Sequence, residues 1–356
     1  MNVLVTGGAG YVGSVLVPRL LEAGHTVTVL DLYLYGEGVL QDHPRLTQIM
    51  GDVRDPADVE AALQDCDTVI HLACISNDPS FELDESLSRT MNYECFEPLV
   101  VAAKTAGVRR FVYCSTSSVY GISDAPDVTE DHPLVPITLY NKYKGMCEPL
   151  LFKHQDDDFT CVVIRPSTVC GYSPRMRLDL AVNILTNLAV NKGVITVYGG
   201  AQMRPNLHIE DMVDAYLLMI EAPKEKIAGQ IFNVGKQNLS VARLAEIVRD
   251  IVSAEFKRPI AIETRPLHDP RSYQVNSDKI ARVLGFVPRR TVEDAVHDLC
   301  NAFREGLLPD SMDDDRYYNV RQMRNVWAEV YRSAPPSAFD PVAGHMSEID
   351  LIRMRP

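Results

Sequence analysis

The chain has 356 residues, 46% of them hydrophobic and 23% charged. These proportions fit one large folded domain or two ordinary ones and exclude a disordered or fibrous chain. A net charge of −13, with 35 Lys and Arg against 48 Asp and Glu, repels nucleic acid, and no basic cluster offsets it. Apolar stretches such as 27–30 and 188–190 fall far short of the roughly 18 uninterrupted residues of a bilayer span, so no membrane segment is expected. The first basic residue is Arg19, which leaves no charged start for a secretory leader, and a cytoplasmic location is expected.

The eight cysteines (Cys66, Cys74, Cys95, Cys114, Cys147, Cys161, Cys170 and Cys300) form no C-x-x-C pair, and several lie in apolar strand-like runs, where a thiol acts as a small hydrophobe. They read as free thiols in a reducing compartment. The nine histidines contain neither H-x-x-x-H nor H-E-x-x-H, so no metal is assigned.

In chain order, short apolar runs alternate with segments of helical period. Strands are predicted at 2–6, 26–31, 47–51, 68–72, 110–115 and 160–165, and helices at 12–23, 55–62, 86–106 and 139–154. The pattern is that of an α/β fold, a doubly wound parallel sheet of the Rossmann kind, with ligands at the carboxyl ends of its strands. Beyond Gly171 the rhythm breaks at Ser173-Pro174, Gly199-Gly200, Arg204-Pro205 and Arg265-Pro266. The expected division is a dinucleotide domain over 1–172, rejoined by about 203–235. A smaller α/β substrate-binding domain is expected from 173–202 and 236–310. A tail of unassigned role over 311–356 carries the acidic run Asp313 to Asp315.

The first strand enters Thr6-Gly7-Gly8-Ala9-Gly10-Tyr11-Val12-Gly13 and then a helix. Here glycines let backbone amides approach a pyrophosphate that a Cβ would block. Gly8, Gly10 and Gly13 match one register of the motif, and Gly7, Gly10 and Gly13 another. Asp31, ending the second strand, suits the hydroxyls of an adenosine ribose and repels a 2′-phosphate, so NAD is expected rather than NADP. Asp52 and Val53, after the third strand, are placed to flank an adenine.

Tyr140 and Lys144 are spaced i, i+4 at the start of a predicted helix, which puts an ammonium beside a phenol and favours the phenolate. A hydroxyl-rich loop, Ser115-Thr116-Ser117-Ser118, follows the fifth strand and faces the same sheet edge, where a hydroxyl can bond to a substrate oxygen.

The set T-G-G-A-G-Y-V-G, Asp31, G-D-V-R-D, H-L-A-C, S-T-S-S-V-Y-G and Y-N-K-Y-K, in this order, resembles the extended short-chain dehydrogenase/reductase family, especially nucleotide-sugar 4-epimerases, over roughly residues 1 to 305. The resemblance favours the Gly7, Gly10, Gly13 register. It implies that Tyr11, Val12, Leu72, Ala73 and Ser115 also line the NAD site. It further implies that Thr116 is the catalytic hydroxyl, that Tyr140 is the general base and acid, and that Lys144 tunes it and holds the nicotinamide ribose. The implied reaction oxidises sugar C4 transiently to a ketone and returns the hydride to the opposite face. Family 4,6-dehydratases carry an acidic pair (T-D-E-V-Y-G) where this chain has Ser117 and Ser118, and decarboxylating members carry a glutamate there, so both activities are disfavoured. Many epimerases have asparagine at the position of Thr168.

By the same resemblance Arg204 and Arg271 contact the diphosphate of a UDP- or GDP-linked sugar, and Thr168 and Asn183 contact substrate. The stretch Ser173 to Asp179 is similar to a branch containing nucleotide-heptose C4-dehydrogenases. There Arg175 and Arg177 reach phosphate, and this makes net C4 oxidation the alternative activity. In the family a pair of long helices matching 86–106 and 139–154 forms a dimer through a four-helix bundle, so the resemblance implies a homodimer. A reading from another class, a regulator that senses NAD/NADH on the same fold without chemistry, is countered by the intact Thr116, Tyr140 and Lys144 set.

Overall fold

The computed structural model describes residues 1–266 and 272–333. Six strands occupy the first half: β1 (Asn2–Thr6), β2 (Thr26–Asp31), β3 (Leu46–Met50), β4 (Thr68–His71), β5 (Arg110–Cys114) and β6 (Thr160–Pro166). Six more follow: β7 (Thr168–Cys170), β8 (Val194–Tyr198), β9 (Met203–His208), β10 (Gln230–Val234), β11 (Gln237–Ser240) and β12 (Ala261–Arg265). The main sheet has seven strands in the order β10-β6-β5-β4-β1-β2-β3, all paired in parallel. β4 and β6 are buried along their whole length, as central strands covered on both faces must be. β3 exposes Thr47, Gln48 and Met50 because it is an edge.

After β3 the chain crosses to start β4 on the other side of β1, so the order in which strands are added reverses between β1 and β4. Loops diverge at such a reversal and leave a crevice at the carboxyl ends. Register aligns those ends: Thr6 stands opposite Leu30 and His71, and Cys114 opposite Ile164. One sheet face is packed by the helices Gly13–Glu22 and Ile209–Glu221 through Leu16, Leu20, Met212 and Tyr216. The other is packed by Pro56–Leu63, Phe96–Thr105 and Leu139–Phe152 through Leu63, Leu99 and Leu151.

A smaller core gathers the helices Ala181–Lys192, Val241–Phe256 and Val292–Arg304 against the parallel pair β8 and β12. The three-stranded sheet β11-β9-β7 links it to the main sheet, and β10 returns to pair with β6. Among the described residues no helix is long and apolar enough to cross a membrane.

The single helix expected over 86–106 is broken. Glu85–Arg89 leads into a widened turn at Thr90–Glu94 before Phe96–Thr105. The widened turn carries Asn92 inward, where its carboxamide oxygen accepts from the Ile75 amide at 2.8 Å and its nitrogen donates to the Ile75 carbonyl at 2.9 Å. Such turns concentrate at functional sites, and this one fastens the loop after β4. Leu99 and Val100 are core residues, while Val101 is exposed. All eight cysteines are free thiols.

Candidate active site

A cleft of about 360 Å³ opens at the carboxyl ends of the parallel strands. Its floor is the turn after β1. Gly7 has φ +75°, and a Cβ there would stand 2.6 Å from the Ala73 amide nitrogen. A Cβ on Gly13 would meet the Gly7 carbonyl oxygen at 2.6 Å, so the first helix packs against the turn only with glycine at that position. Gly7, Gly10, Tyr11, Val12 and Gly13 line the cleft, whereas Gly8 faces the Val29 side chain. This is the Gly7, Gly10, Gly13 register. Val12 supplies no side-chain cap, so the start of the helix is open to an anion.

Asp31 lines the cleft at the end of β2. Its Oδ2 accepts from the Ala9 amide at 2.9 Å and its Oδ1 from the Tyr33 amide at 2.8 Å. Burial pushes its carboxyl above the usual range despite these bonds. Gly51 and Val53 form the neighbouring wall. Asp52, expected beside them, instead turns its carboxylate to Arg54 and is absent from the cleft wall.

Leu72 and Ala73 line the cleft as expected, followed by Cys74, Ile75, Ser76, Asn77 and Asp78. His71 behind them is buried, receives or donates one hydrogen bond at Thr6 Oγ1 (2.7 Å), and is pushed down to about 3 by burial, so it stays neutral.

The hydroxyl loop reaches the cleft from β5. Thr116 caps the short turn Ser117–Tyr120, its Oγ1 accepting from the Ser118 amide at 3.2 Å. Ser115 lines the cleft but donates its hydroxyl proton to Glu148 Oε1 at 2.6 Å. Glu148 in turn holds Arg165, which donates from Nε at 2.9 Å and from Nη2 at 2.5 Å. Arg165 also donates to the Tyr120 hydroxyl at 2.8 Å. This buried ion pair fixes both ends of the loop from beneath. Ser117 and Ser118 both meet the Tyr273 hydroxyl, at 3.3 and 3.2 Å.

Tyr140 and Lys144 extend from the first turns of Leu139–Phe152, whose start is capped by Thr138 Oγ1. Both line the cleft with Thr116. Lys144 Nζ donates to the Cys114 carbonyl at 2.7 Å and lies 5.1 Å from the centroid of the Tyr113 ring. Proximity to the lysine was expected to favour the phenolate. Burial instead pushes the Tyr140 phenol well above its ordinary value, with Cys74, Cys114 and Asp78 acting in the same direction and Arg177 opposing them.

Of the residues expected to hold substrate, Thr168, Arg175 and Arg177 line the cleft. Arg177 is held by Asp179 at 2.9 Å and donates to Ser76 Oγ at 3.2 Å. Asn183 stands behind the wall, where it accepts from the Gly171 amide at 3.1 Å and donates to the Tyr11 hydroxyl at 3.1 Å and the Arg177 carbonyl at 2.9 Å. Those bonds tie the loop after β7 to the Tyr11 hydroxyl. Arg204 lies on β9, donates to the Met203 carbonyl at 3.0 Å, and is not on the cleft wall among the described residues. Arg271 lies outside the described residues. Two wall residues had no sequence signal beyond helical spacing after the acidic run: Asn319 and Met323, from the segment expected to be a tail.

The glycine turn, the open helix start, the Asp31 carboxylate and the Lys144 ammonium at the far end fit a dinucleotide along the sheet edge. Residues 3–235 match the model of the NAD dependent epimerase/dehydratase family. The chain belongs to this family. Its cofactor is accordingly NAD, and its relatives are enzymes of nucleotide-sugar chemistry. The chain is similar to a UDP-glucose 4-epimerase of Lactobacillus helveticus, 29% identical over 83% of this chain and 95% of that protein. It is also similar to a dTDP-glucose 4,6-dehydratase of Streptomyces griseus, 32% identical over 83% and 92%. Among solved structures, the UDP-glucuronic acid 4-epimerase from Bacillus cereus in complex with UDP-glucuronic acid and NAD superposes with a TM-score of 0.77 at 25% identity, over 86% of this chain and 99% of that one. MoeE5 in complex with UDP-glucuronic acid and NAD gives 0.74 at 27%, over 86% and 100%.

Proposed function

We propose that this family member is a nucleotide-diphospho-sugar epimerase that acts at sugar C4 through a transient 4-keto intermediate. The observation that carries this reading is the wall formed by Thr116, Tyr140 and Lys144, with the paired hydroxyls of Ser117 and Ser118 bonded to Tyr273 where dehydration needs an acid and a base. Thr116 holds the oxygen at C4, and Tyr140 takes its proton and returns it. Lys144 keeps a positive charge beneath the phenol. NAD, when bound in its oxidised form, supplies the hydride acceptor and a further positive charge that favours the Tyr140 phenolate. Thr168 borders the sugar, which is carried on UDP or GDP.

A C4-dehydrogenase that releases the ketone shares these residues and is the second reading. Cofactor exchange separates the two, because an epimerase regenerates its NAD in each cycle. A homodimer built on the outer face of Phe96–Thr105, where Val101 is exposed, and a cytoplasmic location complete the proposal.

Denaturing freshly purified protein and identifying the released nucleotides, alongside a panel of UDP- and GDP-sugars assayed for their 4-epimers, tests the reading. Stoichiometric NAD and an equilibrated epimer pair are expected. Net accumulation of ketone with stoichiometric NADH would replace epimerase by dehydrogenase, and NAD binding with no turnover of any sugar would favour a non-catalytic sensor.

A further inference from the structure

Arg175 is 4% exposed, lines the cleft, and forms no ion pair with any carboxylate among the described residues. Its guanidinium lies 3.6 Å from the centroid of the Tyr35 ring, and its Nη2 donates to Asn319 Oδ1 at 2.5 Å. Its Nε is buried with no hydrogen-bond partner. A buried cation with an unused donor is costly unless an anion completes it. Burial pulls its pKa down to about 10, which still leaves it charged at neutral pH.

Position decides which anion. The Arg175 amide donates to Ser14 Oγ at 3.3 Å, at the start of the first helix, and Ser173 donates to the Tyr11 carbonyl at 2.7 Å. The charge of Arg175 is felt by Asp31, whereas that of Arg177 is felt by Tyr140. Arg175 therefore stands at the glycine-turn half of the cleft and Arg177 at the catalytic half.

Asn319 is 1% exposed and begins the helix Asn319–Ser333. Besides accepting from Arg175, it donates from Nδ2 to Ser76 Oγ at 2.9 Å and from its backbone to Asp179 at 3.2 Å. One turn on, Gln322 donates to the Leu34 carbonyl at 2.7 Å, and Met323 packs against Ile75 and Met91 with Leu34 and Tyr35 at the edge. The helix is thus fastened to both lips of the cleft, the loop after β2 and the loop after β4.

We propose that Arg175 is a ligand of the cofactor pyrophosphate, and that Asn319 with the helix it starts holds this arginine in place and closes the cleft over the dinucleotide, retaining NAD between turnovers. The inference rests on the assignment of the cleft as the NAD site. Full-length protein is stripped of nucleotide, and NAD affinity and release rate are measured for Arg175→Met, Arg175→Lys and Asn319→Ala, with UDP and GDP affinities and melting curves in parallel. Arg175→Met should weaken NAD about 10- to 100-fold, the range for one charge-assisted hydrogen bond, and leave UDP and GDP within about twofold. Asn319→Ala should speed NAD release about tenfold by the same reasoning. Arg175→Lys, which keeps charge and most of the volume, should fall between wild type and Met, and it carries the test if the Met variant does not fold. Unchanged NAD binding in folded variants overturns the proposal, as does a loss of UDP or GDP affinity in place of NAD affinity. Tight wild-type NAD binding with unaltered variants refutes this inference and leaves the assignment of the cleft standing. A wild type that binds no NAD refutes the cleft assignment beneath it.

Discussion

Replacing Tyr140 by Phe removes one oxygen atom from the cleft wall. That hydroxyl has no hydrogen-bond partner among the described residues, and the ring keeps its edge contact with Phe81 at 6.3 Å between centroids. Stability should therefore change by no more than about 0.5 kcal/mol, the range of substitutions that break no named interaction. NAD affinity should hold within about threefold, because Lys144 remains anchored on the Cys114 carbonyl at 2.7 Å. Activity should fall about 10²- to 10⁴-fold, the usual contribution of a positioned acid-base group, or roughly 3 to 5 kcal/mol in the barrier. The assay follows interconversion of the 4-epimers by chromatography on the sugar found by the panel, with NAD titration and urea unfolding on the same preparations. A variant within tenfold of wild type refutes Tyr140 as the proton carrier. So does a loss of activity that tracks a loss of stability.

Glu148→Gln leaves the Arg165 guanidinium buried without its counter-charge, each side chain of the pair being 3% exposed. It should destabilise the protein by about 3 to 5 kcal/mol in urea titration, and stability near wild type would refute the support assigned to this pair beneath the hydroxyl loop. Asp31 has a carboxyl raised by burial, and ribose binding needs its ionised form. NAD affinity should thus be full at neutral pH and fall as the pH drops through that raised value; in Asp31→Asn it should be weak and flat over the same range. Gly7→Ala should abolish NAD binding and cost about 2 kcal/mol or more, since it combines φ +75° with a 2.6 Å clash on Ala73. Gly107→Ala, at φ +86° with open space around it, should cost about 1 to 2 kcal/mol and leave NAD binding intact.

Local chemistry was legible wherever it is written within one element and its next turn. The glycine run after β1, Asp31 at the end of β2, and the i, i+4 pair Tyr140 and Lys144 all reach the cleft wall. Strand boundaries in the first half fell within a residue or so of those read from apolar runs, because buried parallel strands leave continuous hydrophobic segments. Periodicity could not show the widened turn at Thr90–Glu94, since its cause is a contact between Asn92 and the distant Ile75 backbone. The resemblance likewise made Asn183 a candidate for substrate, but its carboxamide is engaged by the Tyr11 hydroxyl, 172 residues away.

The amino-acid order alone determined the sheet, the dinucleotide turn and the pairing of Tyr140 with Lys144 on the cleft wall, because each depends on periodicity or on residues a turn apart. Tertiary structure decided that the phenol is held protonated by burial, that Ser115 serves a buried ion pair, and that Arg175 faces the glycine turn. It also decided that the segment after the acidic run closes the cleft, with Asn319 bonded to Ser76 from 243 residues away. Desolvation and long-range hydrogen bonding are properties of the packed molecule, and no local pattern of residues encodes them.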